Sequence, residues 1–136
     1  MTVDPVTAAI DIDAPIDAVY AMFTEPDQLI RWIGIRAMLE PTPGGQFRFE
    51  LMPGEFCSGR YLELDPPNKV VFTWGWESGA LPVEPGSSTV TVVLTEEGGT
   101  THVQLTHSDL PTDAMREHHA GGWGNFLPRL KEAAET

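Results

Sequence analysis

The sequence has little cysteine and little positive charge, and it contains no long apolar run. Its single cysteine, Cys57, excludes an intrachain disulfide, so nothing in the sequence calls for an oxidising compartment. Eight lysines and arginines stand against 20 acids, which gives a net charge of -12 at pH 7. The bases are scattered along the chain, and this excludes nucleic acids and anionic membranes as the main partners.

No targeting or membrane signal is visible in the sequence either. The chain begins MTVDPVTAAIDID, which has neither the basic start nor the apolar centre of a signal peptide. No apolar run approaches the length of a membrane-spanning helix. We therefore expect a cytoplasmic protein. Because the chain has 136 residues, of which 41% are hydrophobic, we expect one domain over residues 1–136.

The first part of the chain predicts one strand and two short helices. Apolar residues alternate with other residues from Val6 to Ile12, and a period of two is typical of a half-buried strand. Pro15 suits the first turn of a helix, because the N–H that it lacks is not needed there. The apolar stripe of that helix is predicted to be Ala18, Val19, Met22 and Phe23. A second short helix is predicted from Pro26 to Trp32.

The middle of the chain predicts about six strands. Turn residues stand between apolar runs at Gly44-Gly45, at Pro66-Pro67-Asn68 and over Glu96–Gly99. One predicted strand covers Gly59 to Asp65, and residues 82–88 are predicted to be a loop. The predicted buried faces of the other strands are Phe47, Phe49 and Leu51; Val70, Phe72, Trp74 and Trp76; Val90, Val92 and Leu94; and Val103, Leu105 and His107.

The last segment changes to the period of a helix. Thr112 is the expected N-cap. The apolar stripe is predicted to be Met115, His119, Gly122, Trp123, Phe126 and Leu130. Pro128 is expected to kink the helix near Gly124. Gly121, Gly122 and Gly124 lie within about one helical turn, and each costs about 1 kcal/mol of helix stability relative to alanine. They therefore indicate either close packing or room left open beside the helix.

This order of elements predicts an α+β fold. Successive hairpins cannot cover their own apolar faces, and the long terminal helix is the element able to cover the sheet. We predict a curved antiparallel sheet of six or seven strands wrapped on that helix, with two short helices after the first strand. A mostly apolar cavity is expected between the sheet and the helix.

Several stretches of the chain together resemble a known family. They are Ala14-Pro15, Trp32, residues 44–49 (GGQFRF), residues 59–67 (GRYLELDPP), residues 71–74 (VFTW), residues 90–92 (VTV), residues 105–107 (LTH) and residues 119–123 (HAGGW). In this order and spacing the chain resembles the Bet v 1-like and START-like (SRPBCC) superfamily. Within it, the chain is most similar to the AHSA1-like family, which is named for the C-terminal domain of the Hsp90 ATPase activator.

The resemblance implies the helix-grip fold with a cavity, and it leaves three functions open. Related domains include lipid carriers, polyketide cyclases, hormone receptors and a co-chaperone module, so the function has to be argued from the site. The first hypothesis is a binding domain for an apolar or aromatic small molecule, without catalysis and without a cofactor. The second is a cavity enzyme of the cyclase or hydrolase kind. The third is a modulator of the Hsp90 ATPase, and a homodimer is left open.

Two histidines are the candidate acid/base residues. His107 should face the cavity from the end of a strand, where it could act in catalysis, bind a ligand or simply be a core histidine bonded to the backbone. His119 follows the apolar stripe of the helix, one turn before Trp123. His118 points about 100° away from His119, so the two cannot form a same-face metal pair, and no metal site is predicted.

The predicted ligand-binding set combines aromatic residues with these histidines. It consists of Trp32, Phe56, Trp74, Trp76, His107, Met115, His119, Trp123 and Phe126. Ligand pockets are mostly apolar with a few polar groups, so a filled core is the alternative interpretation of the same residues.

Overall fold

The computed structural model describes residues 3–136 of the chain. Met1 and Thr2, which begin the N-terminal stretch compared above with signal peptides, lie outside the described residues. The strands are β1 Val6–Ile12, β2 Arg36–Leu39, β3 Gln46–Met52, β4 Glu55–Asp65, β5 Lys69–Trp74, β6 Ser88–Glu97 and β7 Thr100–Ser108. The helices are α1 Ile16–Thr24, α2 Pro26–Leu29 and α3 Asp113–Glu135.

The seven strands form one antiparallel sheet in the order β1-β7-β6-β5-β4-β3-β2. The long helix α3 packs against the sheet, and the two short helices follow β1. The predicted α+β helix-grip fold is therefore confirmed. No helix within residues 3–136 combines the length and the apolar character needed to cross a membrane.

The alternation read from the sequence sets the buried face of the central strands. In β6 from Ser88 to Leu94 and in β7 from Thr101 to His107, every second side chain is buried. The buried set contains the six predicted residues, Val90, Val92, Leu94, Val103, Leu105 and His107, and adds Ser88 and Thr101. His107 lies between Val6 of β1 and Val90 of β6 in the sheet register. Strand periodicity thus places a histidine on the apolar face, near the end of β7.

The predicted bounds of three elements are corrected by the structure, and one residue of the predicted α1 stripe is exposed. Helix α2 ends at Leu29, so Trp32 lies in the turn that follows it, and Ala18 of α1 is exposed. Strand β4 begins at Glu55 because it pairs with β3 before the predicted start at Gly59. Strand β5 ends at Trp74, and Trp76 lies beyond it, although it forms a bridge with Cys57.

Gly59 is required by the close approach of two strands. A Cβ placed on this residue would overlap the carbonyl oxygen of Thr73 on β5. The Thr73 hydroxyl also accepts a hydrogen bond from the Arg60 backbone N–H at 2.8 Å. Since β4 shifts register just beyond this point, between Tyr61 and Glu63, glycine lets the sheet bend here.

Helix α3 begins as predicted and buries a slightly different stripe. The Thr112 hydroxyl accepts a hydrogen bond from the Met115 backbone N–H at 3.2 Å. Its buried residues are Met115, His119, Trp123, Leu127 and Leu130. The sequence prediction missed Leu127, and Gly122 and Phe126 are only half-buried. The helix is continuous through Pro128.

One part of the core is filled by large rings, and we call it the packed end. It consists of Phe23, Trp32, Phe47, Tyr61 and Phe72. Phe47 stacks on Phe72 with ring centroids 4.0 Å apart. The Trp32 indole donates to the carbonyl of Met22 at 2.9 Å, and the Tyr61 hydroxyl donates to the carbonyl of Phe23 at 2.8 Å. The packed end therefore holds its polar atoms on nearby backbone, as a structural core does.

Candidate functional site

A second group of rings lies between the sheet and α3, and we call it the tryptophan–histidine cluster. It consists of Trp74, Trp76, His107, His119 and Trp123. The Trp74 ring centroid is 5.2 Å from that of Trp123 and 5.5 Å from that of His107. The two histidine rings are 5.1 Å apart and nearly perpendicular. The structure thus brings together five of the nine residues predicted to bind a ligand.

Helix periodicity and strand register explain how the cluster forms. His119 and Trp123 are four residues apart on α3, so they share the face that covers the sheet. His107 comes from β7 on the opposing surface. Trp74 ends β5 directly opposite Ser88 of β6. The cluster therefore combines residues of β5, of the segment just after it, of β7 and of α3.

The ring nitrogens of His119 are both engaged. The Trp76 indole donates its Nε1–H to His119 Nε2 at 3.1 Å. His119 Nδ1 lies 2.7 Å from the Met115 carbonyl oxygen, which can only accept, so we assign the proton to Nδ1. Burial lowers the pKa of His119, so the neutral imidazole is the stable form.

His107 carries the opposite tautomer. The Trp123 indole donates to His107 Nδ1 at 3.0 Å, which places the His107 proton on Nε2. Nε2 lies 2.9 Å from the Ser88 hydroxyl, which in turn donates to the Trp74 carbonyl at 2.8 Å. Burial, followed by the influence of His119, lowers the pKa of His107 to about 3. His107 is therefore neutral throughout the physiological range.

Ser88 is a member of the site that the sequence did not reveal. Its side chain is fully buried and bridges His107 to the backbone of β5. The sequence placed it at the end of a polar loop, where serine is common. The informative signal would have been the register of β5 and β6, which pairs Ser88 with Trp74.

A cavity of about 470 Å³ adjoins the cluster between α3 and the sheet. It is lined by Leu51, Trp74, Trp76, Glu117, His118, His119, Gly121, Gly122, Trp123, Asn125 and Phe126. Most of these side chains are apolar or aromatic. The polar ones other than His119 are all exposed residues of α3, so the cavity combines an aromatic interior with a polar rim.

The remaining predicted site residues do not line this cavity. His107 and Met115 are buried beside it: His107 accepts from Trp123 within the cluster, and the Met115 backbone carbonyl accepts from His119. Trp32 belongs to the packed end. Phe56 lies elsewhere, with the Arg48 guanidinium 4.0 Å from its ring centroid. Because Phe56 precedes the buried Cys57 in β4, its side chain is on the other face of the sheet.

The Trp74 indole N–H is the unmatched polar group of the cluster. Its Nε1 atom is closed off from solvent and has no hydrogen-bond partner within residues 3–136, whereas Trp76 and Trp123 each donate to a histidine. Among residues 3–136 the other buried side-chain group in this position is the Tyr20 hydroxyl, which does not line the cavity. A buried donor without an acceptor costs about 1–3 kcal/mol, so it calls for an explanation.

The glycines of α3 leave room beside the helix. A Cβ on Gly121 or Gly124 would meet nothing within 4 Å. A Cβ on Gly122 would meet only the Phe126 ring, at 3.9 Å. Of the two alternatives that the sequence left open, the structure therefore favours open space over close packing, and Gly121 and Gly122 border the cavity.

Other chemistry-bearing residues do not assemble into a second centre. Within the described residues, no group of three or more His, Cys, Asp or Glu side chains is placed to hold a metal ion. Cys57 is fully buried, and burial raises the pKa of its thiol well above the usual range. A polar groove of about 990 Å³ lies on the other face of the sheet. There, Arg48 is already paired with Glu77 at 2.7 Å.

Comparison with known proteins points to one family. A family model described as "Activator of Hsp90 ATPase homolog 1-like protein" matches residues 13–135. Among curated proteins, none matches this sequence.

Solved structures extend the likeness. An AHSA1-like protein from Rhizobium etli is 34% identical, with a TM-score of 0.73 over 99% of this chain and 87% of that one. The Aha1 dimer from Colwellia psychrerythraea is 24% identical, with a TM-score of 0.82 over 98% of this chain and 97% of that one. DynU16, of the dynemicin biosynthetic locus, is 23% identical, with a TM-score of 0.83 over 98% of this chain and 48% of that one. This chain therefore spans about half of DynU16. The last two likenesses show the fold alone.

Proposed function

This chain belongs to the Activator of Hsp90 ATPase homolog 1-like family, and from this premise, together with the cavity, we propose that it is a small-molecule-binding protein. The ligand is an apolar or aromatic molecule held between α3 and the sheet. One domain over residues 1–136 carries the site. The observation that supports the proposal best is the cavity of about 470 Å³ beside three tryptophans.

The size and the lining of the cavity fit a small ligand. Ligand sites commonly measure about 300–1,000 Å³ and are mostly apolar, with a few fixed polar groups. Here Trp76 and Trp123 are held in place by hydrogen bonds to His119 and His107. Rings fixed in this way lose little conformational entropy when a ligand binds, which favours affinity.

The glycines of α3 add a second line of support. Glycine inside a helix costs about 1 kcal/mol relative to alanine. Gly121 and Gly122 incur that cost without any packing contact that would require it. The space that they preserve borders the cavity, so access for a ligand accounts for residues that stability alone disfavours.

Closing the cavity from the helix tests this proposal. In the Gly122→Leu variant, the new side chain extends from a half-buried cavity-lining position. We expect the neutral apolar dye N-phenyl-1-naphthylamine to bind the wild-type protein and to bind this variant at least tenfold more weakly, because loss of about 1.4 kcal/mol is tenfold in affinity. A fluorescence titration measures both.

The matched control is Gly124→Leu. Gly124 is in the same helix but is exposed and does not line the cavity. The two variants gain the same helix propensity, so they differ in cavity filling only. Dye binding that is lost equally in both variants, or that is absent from the wild type, would contradict the proposal.

A cavity enzyme that uses His107 or His119 as acid or base is less well supported. Each ring nitrogen of the two histidines already has a hydrogen-bond partner in the protein. The pKa of His107, about 3, is far from the operating range of a general base at neutral pH. Of the two, His119 alone lines the cavity.

Regulation of the Hsp90 ATPase is a second candidate, because the family description names that activity. The test is the ATPase rate of purified Hsp90 with and without equimolar chain. A rate increase would support the candidate, and an unchanged rate up to a large excess of chain would end it. Because this assay is independent of dye binding, the two candidate functions can be separated.

A homodimer stays a prediction for this chain. The relative from Colwellia psychrerythraea is described as a dimer, but at 24% identity it shows the fold alone. Light scattering across a range of protein concentrations measures the mass directly. A single monomeric mass at every concentration would exclude the dimer.

A further inference from the structure

We infer that the ligand of this cavity is a neutral, flat molecule that presents one hydrogen-bond acceptor, such as a ketone oxygen, to the Trp74 indole N–H. This inference deepens the proposed function and rests on it. Three observations support it: the hydrogen-bond accounting of the tryptophan–histidine cluster, the charge of the cavity lining, and the shape of the lining.

One hydrogen-bond donor of the tryptophan–histidine cluster has no acceptor. The Trp76 and Trp123 indoles donate to His119 Nε2 and His107 Nδ1. The remaining histidine nitrogens face the Met115 carbonyl and the Ser88 hydroxyl, and that hydroxyl donates to the Trp74 carbonyl. Every side-chain polar atom of the cluster is therefore partnered except Trp74 Nε1, which belongs to a residue that lines the cavity. A ligand with one acceptor completes the set.

Charge decides what kind of acceptor fits. The cavity lining contains no lysine or arginine, and its one carboxylate is that of Glu117. An anionic acceptor would be buried without a cation, beside a carboxylate and in a protein of net charge -12. A cationic group would meet the positive edge of the indole N–H. A neutral oxygen acceptor is the remaining match.

The aromatic lining favours a flat ligand, and a lining side chain has to shift slightly when the ligand enters. Trp74 contacts both Trp76 and Trp123, with ring centroids 5.5 Å and 5.2 Å apart, and indole faces pack well on aromatic rings. Because Trp74 Nε1 is closed off, an acceptor reaches it only if a lining side chain shifts. Phe126 is half-buried, and Gly122 one turn before it on α3 carries no side chain, so the ring has room to move on that side.

A matched pair of probes tests the inference on the unmodified protein. 1-Indanone and indane share a flat bicyclic shape and differ by the ketone oxygen. We expect 1-indanone to bind about two- to tenfold more tightly, the range that one net hydrogen bond gives. In ¹H–¹⁵N spectra, the indole proton of Trp74 should move downfield with 1-indanone and should not do so with indane.

Two variants locate the acceptor contact. Trp74→Phe keeps an aromatic ring and removes the donor, so the preference for 1-indanone over indane should disappear. Trp76→Phe is the matched control, because its N–H is already committed to His119. It should weaken both probes by a similar factor and leave their ratio unchanged.

The outcomes distinguish the acceptor contact at Trp74 from the existence of the small-molecule site. Indane bound as tightly as 1-indanone or more tightly, with the Trp74 indole signal unmoved, would overturn this inference and leave the small-molecule site standing. If neither probe shifts any resonance of a cavity residue while N-phenyl-1-naphthylamine still binds, the inference fails and the small-molecule site stands; if the dye does not bind either, both fail. The spectra and the dye titration of the wild-type protein decide both points even if Trp74→Phe fails to fold.

Discussion

The packed end and the tryptophan–histidine cluster are both buried and aromatic, but they treat polar atoms differently. In the packed end, the Trp32 and Tyr61 side chains donate to backbone carbonyls of the neighbouring helix α1. In the cluster, side chains donate to one another through His107 and His119. Both side-chain donors of the packed end thus reach backbone acceptors, whereas the cluster leaves the Trp74 donor unused beside a cavity.

This difference shows how one small fold can separate stability from function. A filled region of rings can hold the sheet and α1 together with ordinary core energetics. The network at the cluster costs desolvation of several polar groups, which is recovered only while every partner is in place. A binding site needs fixed rings beside open space, whereas a stable core has its space filled by side chains.

The largest expected effect comes from opening the packed end. Phe47→Ala removes a ring that is 1% exposed and stacked on Phe72, so we expect a loss of about 3–5 kcal/mol in the free energy of unfolding. Urea denaturation measures it. The exposed Leu62→Ala is the control and should change the free energy by less than about 0.5 kcal/mol. Equal losses would mean that the packed end is not the stabilising region.

Breaking the histidine network should cost somewhat less. His107→Leu leaves the Trp123 N–H without its acceptor, and we expect a loss of about 2–3 kcal/mol. Adding Trp123→Phe removes the stranded donor, so the double variant should lose less than the sum of the two single variants. Additive losses in denaturation experiments would show that the network is not coupled. His102→Leu, at an exposed histidine, should lose less than about 1 kcal/mol.

Acid should weaken the cluster before it weakens the packed end. His107 has a pKa of about 3 in the folded protein and an ordinary value of 6.5, so between these values the unfolded chain binds the extra proton. Stability is therefore complete above pH 6.5 and falls with falling pH. His107 alone should remove about 2 kcal/mol between pH 6.5 and pH 5.

The difference in stability between wild type and His107→Gln measures this effect directly. It should shrink by the same amount as the pH is lowered from 6.5 to 5, because the variant lacks the titrating group. Chemical denaturation at several pH values gives the two curves. Curves that stay parallel would show that His107 is not held neutral by the fold.

The smallest expected effect is at Gly124 in α3, and Gly59 of β4 provides the contrast. Gly124→Ala should raise the free energy of unfolding by about 0.5–1 kcal/mol, because its Cβ meets nothing and alanine favours the helix. Gly59→Ala should lower it, because the Cβ would overlap the Thr73 carbonyl oxygen. Thermal unfolding of both variants checks the pair. Destabilisation by Gly124→Ala would contradict the assignment of open space beside α3, and stabilisation by Gly59→Ala would contradict the close approach of β4 and β5.

Much of the fold could be predicted because each strand and helix carries its own periodicity. The alternation in β6 and β7 placed His107 on the buried face, and the spacing of His119 and Trp123 placed both on one face of α3. Element ends were less predictable, since β4 and α2 are bounded by pairing and by packing. Trp32 and Phe56 could not be distinguished from cavity residues, because aromatic character does not reveal which part of the core a ring occupies.

The sequence by itself determined the succession of elements, the face that each one buries and the family, because these depend on local patterns and on residues in fixed order. The tertiary structure alone decided the partners: Ser88 with His107, Trp123 with His107, Trp76 with His119 and Trp74 with none. The physical reason is that a hydrogen bond needs two atoms about 3 Å apart. For residues as far apart in the chain as Trp76 and His119, only the register of the sheet and the seating of α3 set that distance.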